Sequence, residues 1–283
     1  MIRHFVPATL EEALRIINKN NCYIMSGGTD LMVQKHVSTG LLPQFDRSVL
    51  YVMGLKELDY IKQEEDGSIS IGATTRFVDI EKSPLVPEIY KKVIKEIASP
   101  NIRNMATMTG NIANASPAGD SIVPLVLNDA YVVLESRAGE RKVLVKDFIL
   151  GVRKIDKKPE EIITKIVILP QNLKYFYRKV GSRKAESITK VSVMIGYRIE
   201  KNIIKDFRAA FGSVATKVVR NLEVENKYKN IKVSDLDIDA VINDYSPLVT
   251  PITDQRSNKE YRHKVAMNLL RKYLEEIKGG QDE

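Results

Sequence analysis

The sequence predicts an α+β fold in two domains, and three observations carry that prediction. An apolar run, Cys22-Tyr23-Ile24-Met25, leads straight into Gly27-Gly28 and then into a helix-compatible segment. That is a strand, a tight turn and a helix start, near the head of the chain. Further on, Asp66-Gly67 separates two strand-like runs, a strong hairpin signal. Beyond Pro170 the texture changes to three β-rich runs and two helical ones. The boundary is therefore placed there. Residues 1–169 form one domain, with parts at about 1–55 and 56–169, and residues 170–283 form a C-terminal domain with a three-stranded antiparallel sheet and helices.

In order, Thr9 caps a first helix, and Glu12 completes a Thr-x-x-Glu capping box. Leu10, Ala13, Leu14 and Ile17 share one face of it. The strand Cys22–Met25 follows, then the glycine turn, a short helix near Asp30–Val37, and a second strand at Ser48–Met53. This reads as a βαβ-type unit with its loop at a strand's carboxyl end, where α/β units usually bind ligands. Tyr60–Glu65 and Ser68–Ile71 form the hairpin arms. Thr75 is placed as the cap of a helix running to Ile80. Pro87 to Ala98 is a longer helix with Ile89, Val93, Ile94 and Ile97 as its stripe, stopped by Pro100. Ile122–Asn128 is a short helix. Strands at Tyr131–Leu134 and Lys142–Val145 turn at Ala138-Gly139, and Ile162–Leu169 is an apolar strand. In the second domain, Tyr175–Lys179, Thr189–Ile199 and Ile203–Phe211 are strands, with a tight turn at Glu200-Lys201-Asn202. Ser234–Asn243 and His263–Ile277 are helices, and Gly279–Glu283 frays.

Composition narrows the function. Of 283 residues, 43% are hydrophobic and 28% charged, the balance of a soluble globular protein. No apolar run nears the roughly 20 residues of a membrane span, and Met1–Pro7 has no apolar signal core, so a cytoplasmic location is expected. Cys22 is the single cysteine. It excludes a disulfide within the chain, and an iron–sulfur cluster needs about four thiolates. His4, His36 and His263 lack metal-ligand spacing. No acid–base or nucleophilic constellation stands out, so any redox chemistry falls to an organic cofactor. Residues 168–283 carry 22 basic and 15 acidic residues, and Lys174–Arg220 carries 12 and 3. Such a stretch suits a nucleic acid, an acidic partner or a phosphorylated ligand, or is simply a solvated face. Tyr175, Tyr177 and Tyr197 lie within it and alternate as packed strand residues do.

The glycine turn has its own chemistry. Two adjacent glycines permit positive φ and clear Cβ atoms from one side, so backbone N–H groups can converge on an anion beside a helix N-terminus. Thr29 adds a hydroxyl. A phosphate or pyrophosphate is the simplest ligand, and a bare turn is the alternative. A second stretch, Ala106–Asp120, favours the ligand. It is rich in small and hydroxylated residues, shows neither helical nor strand periodicity, and is too apolar for a surface linker.

Ser26-Gly27-Gly28-Thr29-Asp30-Leu31, Ser99-Pro100-Asn101-Ile102-Arg103-Asn104 and Gly110-Asn111-Ile112-Ala113-Asn114-Ala115-Ser116-Pro117-Ala118-Gly119-Asp120 resemble the FAD-binding medium subunit of the molybdenum hydroxylases, the xanthine dehydrogenase and carbon monoxide dehydrogenase type. Phe5-x-Pro7-x-Thr9-Leu10-Glu11-Glu12-Ala13 and Tyr177-Arg178-Lys179-Val180-Gly181-Ser182-Arg183 are similar too. The resemblance implies a two-subdomain flavin domain of the vanillyl-alcohol oxidase type, followed by the small C-terminal domain. It implies non-covalent FAD, and partners: an iron–sulfur small subunit and a molybdenum-cofactor large subunit. Electrons would pass through FAD to NAD or a similar acceptor, and the complex would be xanthine dehydrogenase-like. By position, Ile24, Met25, Ser26, Gly27, Gly28, Thr29, Asp30 and Leu31 would wrap the FAD pyrophosphate, with Thr107, Gly110 and Asn111 lining the same cleft. Asp120 would accept hydrogen bonds from FAD hydroxyls, Ile97 and Ile163 would supply apolar contacts, and Lys179 would stand near the flavin ring. Without the resemblance, Asp120 reads as a cap for the helix at Ser121-Ile122, Lys179 as a surface cation and the isoleucines as core. Thr109 departs from the family's Gly-Gly-Asn and fits only with negative φ. The rival reading is a flavin-free scaffold or nucleic-acid-binding protein using residues 174–220. Binding to nucleic acid or membrane is not expected.

Overall fold

A computed structural model describes residues 2–280. Residues 281–283 of the expected frayed tail lie outside the described residues. By contact, the chain forms two units: Met1–Ala115 with Asp129–Pro170, and Ser116–Asn128 with Gln171–Glu283. Residues 116–128 thus pack with the C-terminal part, although they lie inside the range 1–169 that the sequence reading assigns to the first domain.

The first unit begins with β1 (His4–Phe5), α1 (Leu10–Lys19), β2 (Cys22–Met25), α2 (Leu31–Gln34) and β3 (Ser48–Tyr51). The strands form a parallel sheet in the order β1-β3-β2. Thr9 caps α1 by accepting from the Glu12 N–H, and Glu12 reaches back to the Ala8 N–H. Ala13, Leu14 and Ile17 bury against Leu50, Val52 and Leu55. The second sheet is antiparallel. It is built from β4 (Ile61–Gln63), β5 (Ile69–Gly72), and, after a run of helices, β6 (Tyr131–Ser136), β7 (Gly139–Leu144) and the later β10 (Ile162–Ile168), in the order β4-β5-β10-β6-β7. Gly67 takes φ +81° in the β4–β5 hairpin, as the Asp-Gly signal requires.

The helices between β5 and β6 correct three expectations. Thr75 does not cap a helix: its hydroxyl exchanges hydrogen bonds with the Tyr60 backbone, and α3 (Phe77–Lys82) starts later. Pro100 does stand after α4 (Glu88–Lys95), but it opens α5 (Pro100–Arg103) at the first turn, capped by Ser99. The stretch read as aperiodic contains α6 (Met108–Asn114), capped by Thr107 and ended by Ala115 in the left-handed region. Its small and hydroxylated residues hide the helical period, because the apolar stripe of so short a helix is only Met108 and Ile112. In chain order, α7 (Ile122–Leu127) belongs to the second unit, and α8 (Val145–Phe148) with the ribbon β8 (Ile149–Gly151) and β9 (Lys154–Ile155) completes the first.

In the second unit, β11 (Lys174–Val180), β12 (Val191–Glu200) and β13 (Ile203–Gly212) form the expected antiparallel sheet. Lys201 and Asn202 both take positive φ in its tight turn. A two-residue strand, β14 (Ile231–Lys232), adds a fourth member to its edge. The sequence reading does not show α9 (Leu222–Lys227), while α10 (Ile238–Tyr245) starts four residues later than expected and α11 (Lys259–Gly279) four residues earlier. Asn258 caps α11 through the Tyr261 N–H, which explains the earlier start. Leu270, Tyr273, Leu274 and Ile277 of α11 pack with Val193, Ile195 and Phe207 in the core of this unit. No helix among the described residues is long and apolar enough to cross a membrane.

Candidate functional site

In the first unit the site begins where β2 stops. The chain turns through Ser26-Gly27-Gly28-Thr29-Asp30 into α2. Gly27 has no room for a side chain: a Cβ there would lie 1.9 Å from the Met105 carbonyl oxygen. Gly28 takes φ +69°, a conformation costly to other residues. The turn is pinned to the start of α6, since Ser26 Oγ and Thr107 Oγ1 are 3.0 Å apart. Thr107 Oγ1 also accepts from the Gly110 N–H at 3.0 Å, and the Asn111 N–H bonds the Thr107 carbonyl. A Cβ on Gly110 would sit 3.0 Å from Thr107 Oγ1 and 3.3 Å from Ser26 Oγ, so this glycine lets the three meet.

The backbone N–H groups of Gly27, Gly28, Thr29 and Asp30 donate to no group among the described residues. These residues are half-buried or, at Asp30, exposed, so their N–H groups are available to a ligand or to water. Thr109 lies within α6 and outside the left-handed region, so its β-branched side chain fits the backbone. Its buried hydroxyl also has no partner among the described residues. Successive unpaired N–H donors at a glycine turn and a buried hydroxyl without a described partner together suit an anionic, polar ligand such as a pyrophosphate.

Asp30 has a different task. Gln34 donates both to Asp30 and to Asn114 Oδ1, and Arg153 Nη1 reaches Asn114 Oδ1 at 2.6 Å and Asp30 at 3.5 Å. These contacts fasten the turn to the far end of α6. The sequence reading misses Gln34, Asn114 and Arg153 in this role. The signal at Arg153 was the left-handed φ of +55°, which is visible only in the fold.

In the second unit, Lys179 Nζ bonds Asp120 Oδ2 at 2.7 Å, and the Thr189 hydroxyl bonds Asp120 Oδ1. All three are buried: the Lys179 and Asp120 side chains are 7% and 8% exposed, and Thr189 is 3%. Burial pushes the Asp120 carboxyl upward, against the pull of the Lys179 charge and the two hydrogen bonds. The helix-cap reading of Asp120 fails, since no side chain caps α7. The fold therefore brings Asp120 and Lys179 together. Ile97 and Ile163 are both buried in the first unit, and Ile24 packs on its core.

A glycine turn at a strand's carboxyl end, with unpaired backbone donors on an α+β scaffold, suits the class of nucleotide-cofactor proteins. The chain's similarities make the class specific. Residues 1–172 match the FAD binding domain in molybdopterin dehydrogenase, and residues 176–277 match the CO dehydrogenase flavoprotein C-terminal domain. The chain is 31% identical over 274 residues to the glyceraldehyde dehydrogenase medium chain of Sulfolobus acidocaldarius, covering 95% of each. It is 27% identical to the xanthine dehydrogenase FAD-binding subunit of Escherichia coli O157:H7, covering 95% of this chain and 93% of that one. Its fold matches a chain of the reconstituted CO dehydrogenase from Oligotropha carboxidovorans with a TM-score of 0.88, at 21% identity over 99% of this chain and 98% of the other. The chain belongs to the family of FAD-binding subunits of the molybdenum hydroxylases, and its cofactor is FAD.

Proposed function

We propose that this chain relays electrons from partner iron–sulfur clusters, through FAD, to NAD or a similar acceptor. The clusters would lie in a small subunit and take electrons from a molybdenum centre in a large one. The observation that carries the cofactor part is the Ser26–Asp30 turn packed on α6, with four N–H groups directed to no described acceptor. When bound, FAD supplies the exchange between one-electron and two-electron carriers that this relay needs. The turn residues and Thr107 bind and orient its pyrophosphate. Asp120 retains acceptor capacity for a cofactor hydroxyl, since a carboxylate offers about four lone-pair sites and the structure uses two. Lys179 supplies a cation suited to a reduced, anionic flavin.

One cysteine leaves this chain without the thiolates of a cluster, which supports a division of labour among subunits. The relatives named above act on glyceraldehyde and xanthine by their names, so the xanthine dehydrogenase-like reading is one choice within the family. The nucleic-acid alternative loses support on this fold. Lys179, Arg198, Arg208 and Arg220 of the basic stretch are in ion pairs, and Tyr177 is buried.

An absorption spectrum of the purified chain after FAD addition tests the cofactor role. The wild-type chain is expected to show bound oxidised flavin. Gly27→Ala, which drives a Cβ into the Met105 carbonyl, is expected to weaken FAD binding at least tenfold while the chain stays folded. Equal affinities would sink the assignment of this turn. Stopped-flow mixing of the dithionite-reduced, FAD-loaded complex with NAD then tests the acceptor, with failure to reoxidise counting against NAD.

A further inference from the structure

Lys179, Asp120 and Thr189 come from three separate parts of the second unit. Lys179 lies on β11 opposite Ser192, Asp120 lies in the turn before α7, and Thr189 lies just before β12. The segment between Val180 and Lys190 is closed at its base by the Lys190 N–H bonding the Val180 carbonyl at 2.8 Å. Thr189 is thereby held beside β11 with its hydroxyl on Asp120. The two carboxylate oxygens are divided, one to the ammonium and one to the hydroxyl.

We infer that Thr189 is a positioning residue: by bonding Asp120 Oδ1 it leaves Lys179 a single carboxylate oxygen and offsets part of the negative charge that Asp120 presents to the ammonium. This rests on the reading that Lys179 serves the flavin. A hydrogen bond from Thr189 draws electron density to Oδ1 and stops the carboxylate rotating. Without the hydroxyl, the carboxylate is free to present both oxygens to the ammonium. The pair then comes nearer to mutual cancellation, and the cation offers less to a reduced flavin. With the two side chains 7% and 8% exposed, solvent screens such a change less than it would at the surface. Thr189 touches neither reacting group, so it acts only through Asp120 and Lys179.

The test compares Thr189→Val, Thr189→Ala, Thr189→Ser and Lys179→Met in the full chain, with circular dichroism confirming the fold. Val keeps the volume and Ala frees space, so an effect common to both comes from the lost hydroxyl. The first readout needs no cofactor: the rate at which Lys179 is acylated, followed by mass spectrometry. Loss of the hydroxyl is expected to change that rate at least threefold in both Val and Ala, with Ser at the wild-type rate. The second readout is the ratio of affinities for reduced and oxidised FAD. Val and Ala are expected to lower it about tenfold, which is about 30 mV for a two-electron couple, and Ser to restore it. Wild-type behaviour of Val and Ala in either readout overturns the inference. If Lys179→Met also leaves the affinity ratio unchanged, the reading of Lys179 at the flavin fails. If Lys179→Met moves the ratio while Val and Ala do not, only the role of Thr189 fails.

Discussion

Single residues show where this chain holds charge out of water. Arg141 bonds Glu161 through Nε at 2.6 Å and Nη2 at 2.9 Å, and the Lys158 N–H adds a third bond at 2.7 Å. Burial alone would raise the Glu161 carboxyl, but these donors more than offset it and hold it below the ordinary value of 4.5. A carboxylate lowered in the folded state contributes stability that is present above its unfolded value and is lost as the pH falls through its folded one. Glu161→Gln is therefore expected to cost about 2 kcal/mol near neutral pH, the scale of hydrogen bonds to a charged group. The gap to wild type should narrow below about pH 4.5. Urea unfolding at pH 6.5 and at successively lower values checks it, and a constant gap across that range would count against the assignment.

At the scale of elements, two threonine caps look alike and should behave differently. Thr9 caps α1 through the Glu12 N–H, and Thr107 caps α6 through the Gly110 N–H. Losing either cap should cost about 1 kcal/mol. Thr107 has a second bond, to Ser26 of the glycine turn. Thr107→Val is thus expected to weaken FAD binding several-fold as well as stability, while Thr9→Ala lowers stability alone. Chemical denaturation paired with flavin fluorescence titration separates the two effects. Equal FAD affinity in both variants would mean that the cap of α6 does not hold the turn.

At the scale of the molecule, the uneven charge is the open feature. Residues 168–283 hold 22 basic and 15 acidic residues. Within that region Arg183 already has internal work, since its guanidinium donates to the Ala185 and Glu186 carbonyls. Replacing both Arg183 and Lys184 by Glu would therefore disturb the loop along with the charge, whereas Lys184 is exposed and offers a cleaner probe. If this surface docks a partner subunit, Lys184→Glu should reduce co-purification of the complex, and more so at low salt, where surface charges act over longer distances. Unchanged recovery of the partners at low salt would remove this surface from the assembly.

Much of this protein was already determined by local sequence. Cys22–Met25 is a strand because four residues with apolar or aromatic bodies run into two glycines, and Asp66-Gly67 and Lys201-Asn202 turn because of what they do at positive φ. The glycine turn from Ser26 to Leu31 pointed to a phosphate or pyrophosphate, because backbone binding of an anion needs small residues at a turn, and the family resemblance of this motif and of Gly110 to Asp120 narrowed that ligand to FAD. What tertiary structure decided is which groups meet. Neither the packing of Gly27 on Met105, the bracing of Asp30 by Arg153, nor the meeting of Thr189 with Asp120 is written in any local pattern. Each joins positions about 70 or more residues apart. Such contacts follow from how whole elements pack, not from the propensity of the residues that make them.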